Sequence, residues 1–220
     1  MNACSRAVLL IIKILKLKAI LITVFILCIY KMNAQSECFK NCSERSVAEW
    51  GKLKARGITS TDSALTINYK ILSDLKGCAF PNTTLNKLDD TKFTISQLKG
   101  NIVFVHFWFT NCATCIAEIP SINNLHEVYK NKKVKFLAIS FNDKNTINAF
   151  LKKHGSFESI QTSIEQKLLE EIFCVLDGYP LNLVLDKNGK VLDAWNEENP
   201  DSTKQDTFYE KVKHLIDENL

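Results

Sequence analysis

Ile102 to Pro120 reads IVFVHFWFTNCATCIAEIP, and its first seven residues decide the fold. Ile102–Trp108 is a continuous run of strand length, apolar except at His106, the pattern of a strand covered on both faces. Such a strand belongs at the centre of a sheet with parallel neighbours. Beyond it, Ile116, Ile119, Ile122, Leu125 and Val128 recur every three residues and predict an amphipathic helix from about Cys112 to Lys130. Val134 to Phe141 (VKFLAISF) then supplies a second strand. The segment is therefore a β-α-β unit, whose crossover is expected to be right-handed.

The pattern continues outward in both directions. Ile147, Phe150 and Leu151 mark another helix, and Leu168, Leu169, Ile172 and Phe173 a further one. Leu181–Leu185 and Lys190–Trp195 flank Asp186-Lys187-Asn188-Gly189, whose Asn-Gly step signals a hairpin. Phe208, Val212, Leu215 and Ile216 predict a last helix over about Thr203 to Glu218. Upstream, Phe80–Leu85 and Lys92–Ile95 form a short extended pair around Asp89-Asp90, closed by Gly100. The order is β-α-β-α, another helix, then β-β-α, an α/β fold. Residues 35–76 are polar and mixed, with a helix predicted over Val47–Ala55 and a segment, Leu65–Leu72, that fits strand and helix alike. That extension suggests no function of its own.

The leader sets the chemical compartment. Ala19–Tyr30 (AILITVFILCIY) is an uncharged apolar run of 12 residues preceded by Lys13, Lys16 and Lys18 and followed by Asn33-Ala34. This reads as an export signal cut near Ala34. Retained instead, residues 1–34 would form an N-terminal membrane anchor, which needs roughly 20 apolar residues and must reach back over the lysines. Cys28 is poorly placed for lipid attachment, because bulky Leu27 precedes it. Export puts the six cysteines beyond residue 34 where disulfides persist.

The chain has 220 residues, 46% of them hydrophobic and 24% charged, which is a globular composition. Its net charge of +4 comes from the leader. Five of the 28 Lys and Arg lie in Met1–Ala34 with no acid, leaving 23 basic against 24 acidic residues beyond it. That balance argues against a nucleic-acid partner, since phosphate binding needs concentrated positive charge.

Cys112-Ala113-Thr114-Cys115 sits where the buried strand ends and the helix begins. Unpaired N–H groups and the helix dipole at that point stabilise a thiolate, so Cys112 is the candidate nucleophile. Asn111 is a suitable cap residue just ahead of it. Cys115, one turn further, can attack a mixed disulfide on Cys112 and is the candidate resolving thiol. Glu118 follows three residues later on the same face, where a partly buried carboxyl could exchange protons with it. The same Cys-x-x-Cys could be half of a zinc site, but no second Cys-x-x-Cys or Cys-x-x-His follows, and His126 and His154 stand alone.

Phe107-Trp108 before the cysteines, Glu118-Ile119-Pro120 after them and Gly178-Tyr179-Pro180 ahead of the hairpin together resemble the thioredoxin superfamily, most closely its exported TlpA/ResA-type branch. The likeness covers residues 77–220. It implies a thioredoxin-like three-layer sandwich with a central mixed sheet flanked by helices. It implies Cys112 and Cys115 as the redox pair, Pro180 as a cis-proline facing them, and Glu118 as the acid beneath the second thiol. Trp108, Asn111 and Tyr179 are then the candidate substrate contacts. The implied enzyme is a thiol-disulfide oxidoreductase of the cell envelope or periplasm that reduces disulfides of exported proteins, is recharged by an upstream membrane or envelope thiol donor, and needs no cofactor or metal.

The departures carry information. Asn111 stands where many relatives have Trp, so the rim is more polar, and Ala113-Thr114 replaces dipeptides with Pro or Gly. His106 occupies a strand position where relatives carry Asp or Asn; buried there, it must find a hydrogen-bond partner or stay neutral, and it is a candidate for tuning Cys115. Pro120 is expected to bend the helix. Two other functions compete. A peroxiredoxin-like peroxidase would use Cys112 alone but needs an active-site Arg, and Arg6, Arg45 and Arg56 all precede the fold. A non-enzymatic carrier would hold soft copper or zinc on the two thiolates. The four other cysteines, Cys38, Cys42, Cys78 and Cys174, allow three complete pairings, among which the sequence does not choose.

Overall fold

The buried run at Ile102–Trp108 becomes the third strand of a sheet in the computed structural model, which describes residues 37–57, 70–175, 178–196 and 203–220 together with Lys16 and Lys18. The expected apolar leader at 19–30, its cleavage point near Ala34 and most of the segment at 65–72 lie outside the described residues. Residues 1–37 and 38–220 are separate units, and the sheet belongs to the second. Among the described residues no helix is long and apolar enough to cross a membrane.

The second unit opens within helix α1 (37–55), followed by a helical turn at 70–73. Strands β1 (Thr84–Lys87) and β2 (Lys92–Thr94) follow, then β3 (Ile102–Trp108), helix α2 (Ala113–Tyr129), β4 (Val134–Ser140) and α3 (Lys144–His154). The chain ends with β5 (Ile160–Ser163), α4 (Gln166–Phe173), β6 (Leu181–Leu185), β7 (Val191–Asn196) and α5 (Thr203–Asp217). The sheet order is β2-β1-β5-β4-β3-β6-β7. β3 pairs parallel with β4, register Ile102↔Val134 to Trp108↔Ser140, and antiparallel with β6, register Phe107↔Leu181 to Val103↔Leu185. The sheet is therefore mixed, with β3 inside it.

Successive side chains of a strand point to opposite faces, and β3 serves two cores. Val103, Val105 and Phe107 face a core containing Phe39 of α1, Leu75, Phe80, and Leu169 and Phe173 of α4. Ile102, Phe104 and Trp108 face a core built with Ile122 and Leu125 of α2, Phe150 of α3, and Phe208, Val212 and Ile216 of α5. The described parts of the extension thus line one face of the sheet. Two disulfides fasten them there, Cys38–Cys78 and Cys42–Cys174.

Three local expectations change. β5 was absent from the sequence reading. It is four residues long, only Thr162 is fully buried, and it exists through pairing with β4 (Leu137↔Ile160 to Ser140↔Ser163) and β1 rather than through a pattern of its own. The first strand starts at Thr84 rather than Phe80, while Ala79 makes an isolated bridge to Lys190. α2 starts at Ala113, because Cys112 is the extended residue that caps it.

Candidate active site

The turn between β3 and α2 is tied from both sides. The Cys112 amide donates to the Phe109 carbonyl at 3.1 Å, and the Thr110 amide donates to Asn142 Oδ1 at 2.8 Å. Cys112 takes the cap position with extended backbone, and its Sγ accepts the Cys115 amide at 3.2 Å. Asn111, expected there, is exposed on the rim instead. The sulfur thus occupies the place of a capping oxygen, where helix N–H groups favour negative charge. Cys112 and Cys115 are disulfide-bonded, with Cα atoms 5.2 Å apart. Cys112 is 5% exposed and Cys115 0%. The outer sulfur is the one a partner can approach, and the inner one is reachable only through it.

Opposite the pair lies the loop ahead of β6. The Tyr179–Pro180 peptide bond is cis. Thr114 Oγ1 lies 3.4 Å from Cys112 Sγ and donates to the Tyr179 carbonyl at 3.4 Å, which joins the helix start to this loop. The Tyr179 ring meets Phe109 at 5.2 Å and Phe141 at 5.8 Å between centroids, and Phe109 meets Phe141 at 5.3 Å, so three half-buried aromatic rings form one wall beside the turn. Burial raises the Tyr179 phenol above its ordinary range. A Cβ at Gly178 would lie 1.9 Å from Asn196 Nδ2, so a larger residue there would displace the Asn196 side chain. Trp108 corrects the sequence reading. Every residue of β3 is buried, and the Trp108 indole is enclosed by Phe150 and Phe157 at 5.2 and 5.4 Å, so it is a core residue and no substrate contact.

One helical turn beyond Cys115 three polar side chains meet in the core. Glu118, one turn along α2, is 5% exposed; His106 on β3 is 1% exposed; Asn182 on β6 is fully buried. His106 and Asn182 are cross-strand partners. Asn182 Nδ2 donates to Glu118 Oε1 and Oε2 at 3.2 and 3.1 Å. His106 Nδ1 lies 2.8 Å from Asn182 Oδ1 and 3.4 Å from Glu118 Oε2. Sequence reasoning missed Asn182, Thr114, Phe109, Phe141 and Asn142. Only Asn182 carried a signal, as the one polar residue in the run LNLVL.

Burial lowers the His106 pKa to about 4, partly offset by its hydrogen bond to Asn182. In the unfolded chain the imidazole titrates near 6.5. Between those values only the unfolded state binds the proton, so stability contributed by His106 is complete above about pH 6.5 and is lost as pH falls toward 4. One proton changes stability by about 1.4 kcal/mol per pH unit inside that window. Urea unfolding between pH 7 and 4 should therefore show a shallower acid loss in His106→Gln than in the parent; equal slopes would refute the assignment.

The remaining candidates have other settings. The His126 ring lies against Phe136 and the His154 ring stacks on Phe150. Pro120 lies inside α2 with its ring exposed. Among the described residues no group of three or more His, Cys, Asp or Glu is arranged to hold a metal ion.

The sequence pattern of the AhpC/TSA family matches residues 76–219. Among curated proteins, the thiol-disulfide oxidoreductase ResA of Bacillus anthracis is 29% identical over 114 residues, covering 51% of this chain and 65% of its own length. ResA of Bacillus subtilis (strain 168) is 27% identical over 123 residues, covering 53% and 65%. The matched region thus spans just under two thirds of the length of these relatives. The thioredoxin domain of a thiol-disulfide oxidoreductase from Bacteroides vulgatus superposes with a TM-score of 0.55 at 20% identity, over 64% of this chain and 97% of that one. A thiol:disulfide interchange protein from Bacteroides sp. gives 0.54 at 20% identity, over 64% and 90%. These likenesses establish the thioredoxin-like fold.

Proposed function

The chain belongs to the AhpC/TSA family, and from that membership we propose that it is a thiol-disulfide oxidoreductase acting through Cys112 and Cys115 on disulfides of exported proteins, in the reducing direction. The observation that carries the reading is the asymmetric sulfur pair at a helix N-terminus, the outer sulfur capping the helix and the inner one fully buried. The names of the ResA relatives support the activity, and the basic, apolar leader supports export to the cell envelope.

In the reduced enzyme the Cys112 thiolate attacks one sulfur of a substrate disulfide. A bond forms between Cys112 and that sulfur, the substrate S–S bond breaks, and the other substrate sulfur leaves as a thiolate that takes a proton. Cys115 then gives up its proton to the Glu118 carboxylate and attacks Cys112 Sγ. That step forms the Cys112–Cys115 disulfide and releases the second substrate thiolate. The enzyme is oxidised by two electrons and the substrate reduced by two; a dithiol donor of the envelope, oxidised in turn, restores the pair. The cis-proline loop and the Phe109, Phe141 and Tyr179 wall would flank an extended polypeptide carrying the target disulfide.

This reading is favoured over a peroxidase. Of the two arginines among the described residues, Arg45 lies on α1 and is engaged by Asp74, and Arg56 lies in the turn that follows α1. The direction of electron flow is tested by equilibrating the pair against defined thiol buffers. A potential near thioredoxin's, about −270 mV, supports the reductant; one near about −120 mV, the strongly oxidising end, overturns it.

A further inference from the structure

A carboxylate buried as deeply as Glu118 is normally driven toward its neutral form, because desolvation penalises charge. A neutral carboxyl could not take the proton of Cys115. Hydrogen bonds donated to the charged form oppose that tendency. Here they come from two other elements. The Asn182 amide nitrogen reaches both carboxyl oxygens, and its carbonyl oxygen faces His106 Nδ1 at 2.8 Å. Asn182 Oδ1 and the Glu118 carboxylate both only accept, so Nδ1 carries the imidazole proton. That proton lies between the two acceptors, 2.8 Å from one heavy atom and 3.4 Å from the other. The remaining nitrogen, His106 Nε2, is buried without a hydrogen-bond partner. An unmet acceptor in a core has a cost, and apolar residues at positions 106 and 182 would avoid it.

We propose that His106 and Asn182 are positioning residues for the resolving step, holding Glu118 ionised and fixed behind Cys115 so that it receives the proton as Cys115 attacks. The proposal rests on the thiol-disulfide exchange reading. The titratable groups packed around this core are Cys115 of α2, the partly buried Tyr209 hydroxyl of α5, His154 of α3, which stacks on Phe150, and His126 of α2, which lies against Phe136. The proton balance is closed: Cys115 loses one, Glu118 gains it, and the carboxyl returns it to solvent or to the departing thiolate.

The test uses Ellman's reagent on protein in which the Cys112–Cys115 pair is reduced and the Cys38–Cys78 and Cys42–Cys174 bridges are intact. The first equivalent of coloured thiolate reports attack by Cys112, and the second reports displacement by Cys115. In His106→Phe and in Asn182→Leu the first phase should keep its rate, while the pH midpoint of the second moves up by a unit or more, about tenfold slower at pH values below the parent's midpoint. His106→Gln, which retains an N–H donor, should move the profile back. Unchanged second-phase profiles in both apolar variants, with their folding verified by circular dichroism, would overturn the proposal. A second readout needs no exchange at all. The infrared band of a protonated carboxylic acid, identified by its loss in Glu118→Gln, should appear at pH 7 in His106→Phe and be absent from the parent; the same spectrum in both would overturn the proposal even if Asn182→Leu does not fold. Failure of the parent to release either equivalent would instead defeat the exchange reading.

Discussion

Replacing Cys112 with serine should reduce disulfide exchange by about 10³-fold or more, to the level of the uncatalysed reaction, while replacing Cys115 should leave the first attack intact and trap the enzyme on its substrate. The difference follows from burial. Cys112 Sγ caps α2 at the surface end of the turn, whereas Cys115 is enclosed and can act only on a sulfur already bonded to Cys112. A hydroxyl at 112 has an ordinary pKa too high for the helix N-terminus to ionise, so no nucleophile remains. Cys115→Ser should accumulate a covalent complex visible on a non-reducing gel and released by a thiol. Reduction of a disulfide substrate such as insulin by Cys112→Ser at the parental rate would contradict the assignment of the nucleophile.

The second large effect concerns stability. Cys42–Cys174 closes 132 residues and Cys38–Cys78 closes 40. Treated as loop-closure entropy removed from the unfolded chain, the longer bridge contributes about 5 kcal/mol and the shorter about 4 kcal/mol, and the two are not additive because they constrain overlapping segments. Cys42 and Cys174 are themselves buried in the core that contains Phe39, Leu75 and Phe173. Cys42→Ala combined with Cys174→Ala should therefore lower Tm by roughly 10–20 °C for a chain of this size. Calorimetry of the oxidised proteins decides it. A change of less than about 2 °C would mean that the bridge constrains little that the α1 packing does not already hold.

The parts of the fold legible in the sequence are those whose environment constrains each residue independently. β3 is covered on both faces, so nearly every position must be apolar, and Ile102–Trp108 announces itself. The hairpin β6–β7 is announced by Asn188-Gly189, because Gly189 takes a φ of 81°. α2 reads clearly because its buried stripe, through Ile119, Ile122 and Leu125, repeats along one face. β5 was illegible for the opposite reason: four residues with a single fully buried side chain are a strand only because β4 and β1 stand on either side.

The site divides the same way. The spacing of Cys112, Cys115 and Glu118 along one helix placed them together before any tertiary contact was considered, since residues three apart on a helix are neighbours. Trp108 was expected at the substrate rim from the resemblance alone, whereas its own run, Ile102–Trp108, already read as covered on both faces. His106 was visible as an anomaly, and its partners were not. Asn182 lies 76 residues away and meets it through the antiparallel register of β3 and β6.

What the sequence by itself determined was local: a buried central strand, the helix that follows it, and two thiols at the junction, each fixed by chain periodicity and by the chemistry of a helix end. What only the tertiary structure decided was long-range. It paired Cys38 with Cys78 and Cys42 with Cys174, set the described parts of residues 38–76 over one sheet face, and brought Asn182 and His106 onto Glu118. Those contacts depend on strand register and layer packing, which bring together residues far apart in the chain, and no pattern within a single segment encodes them.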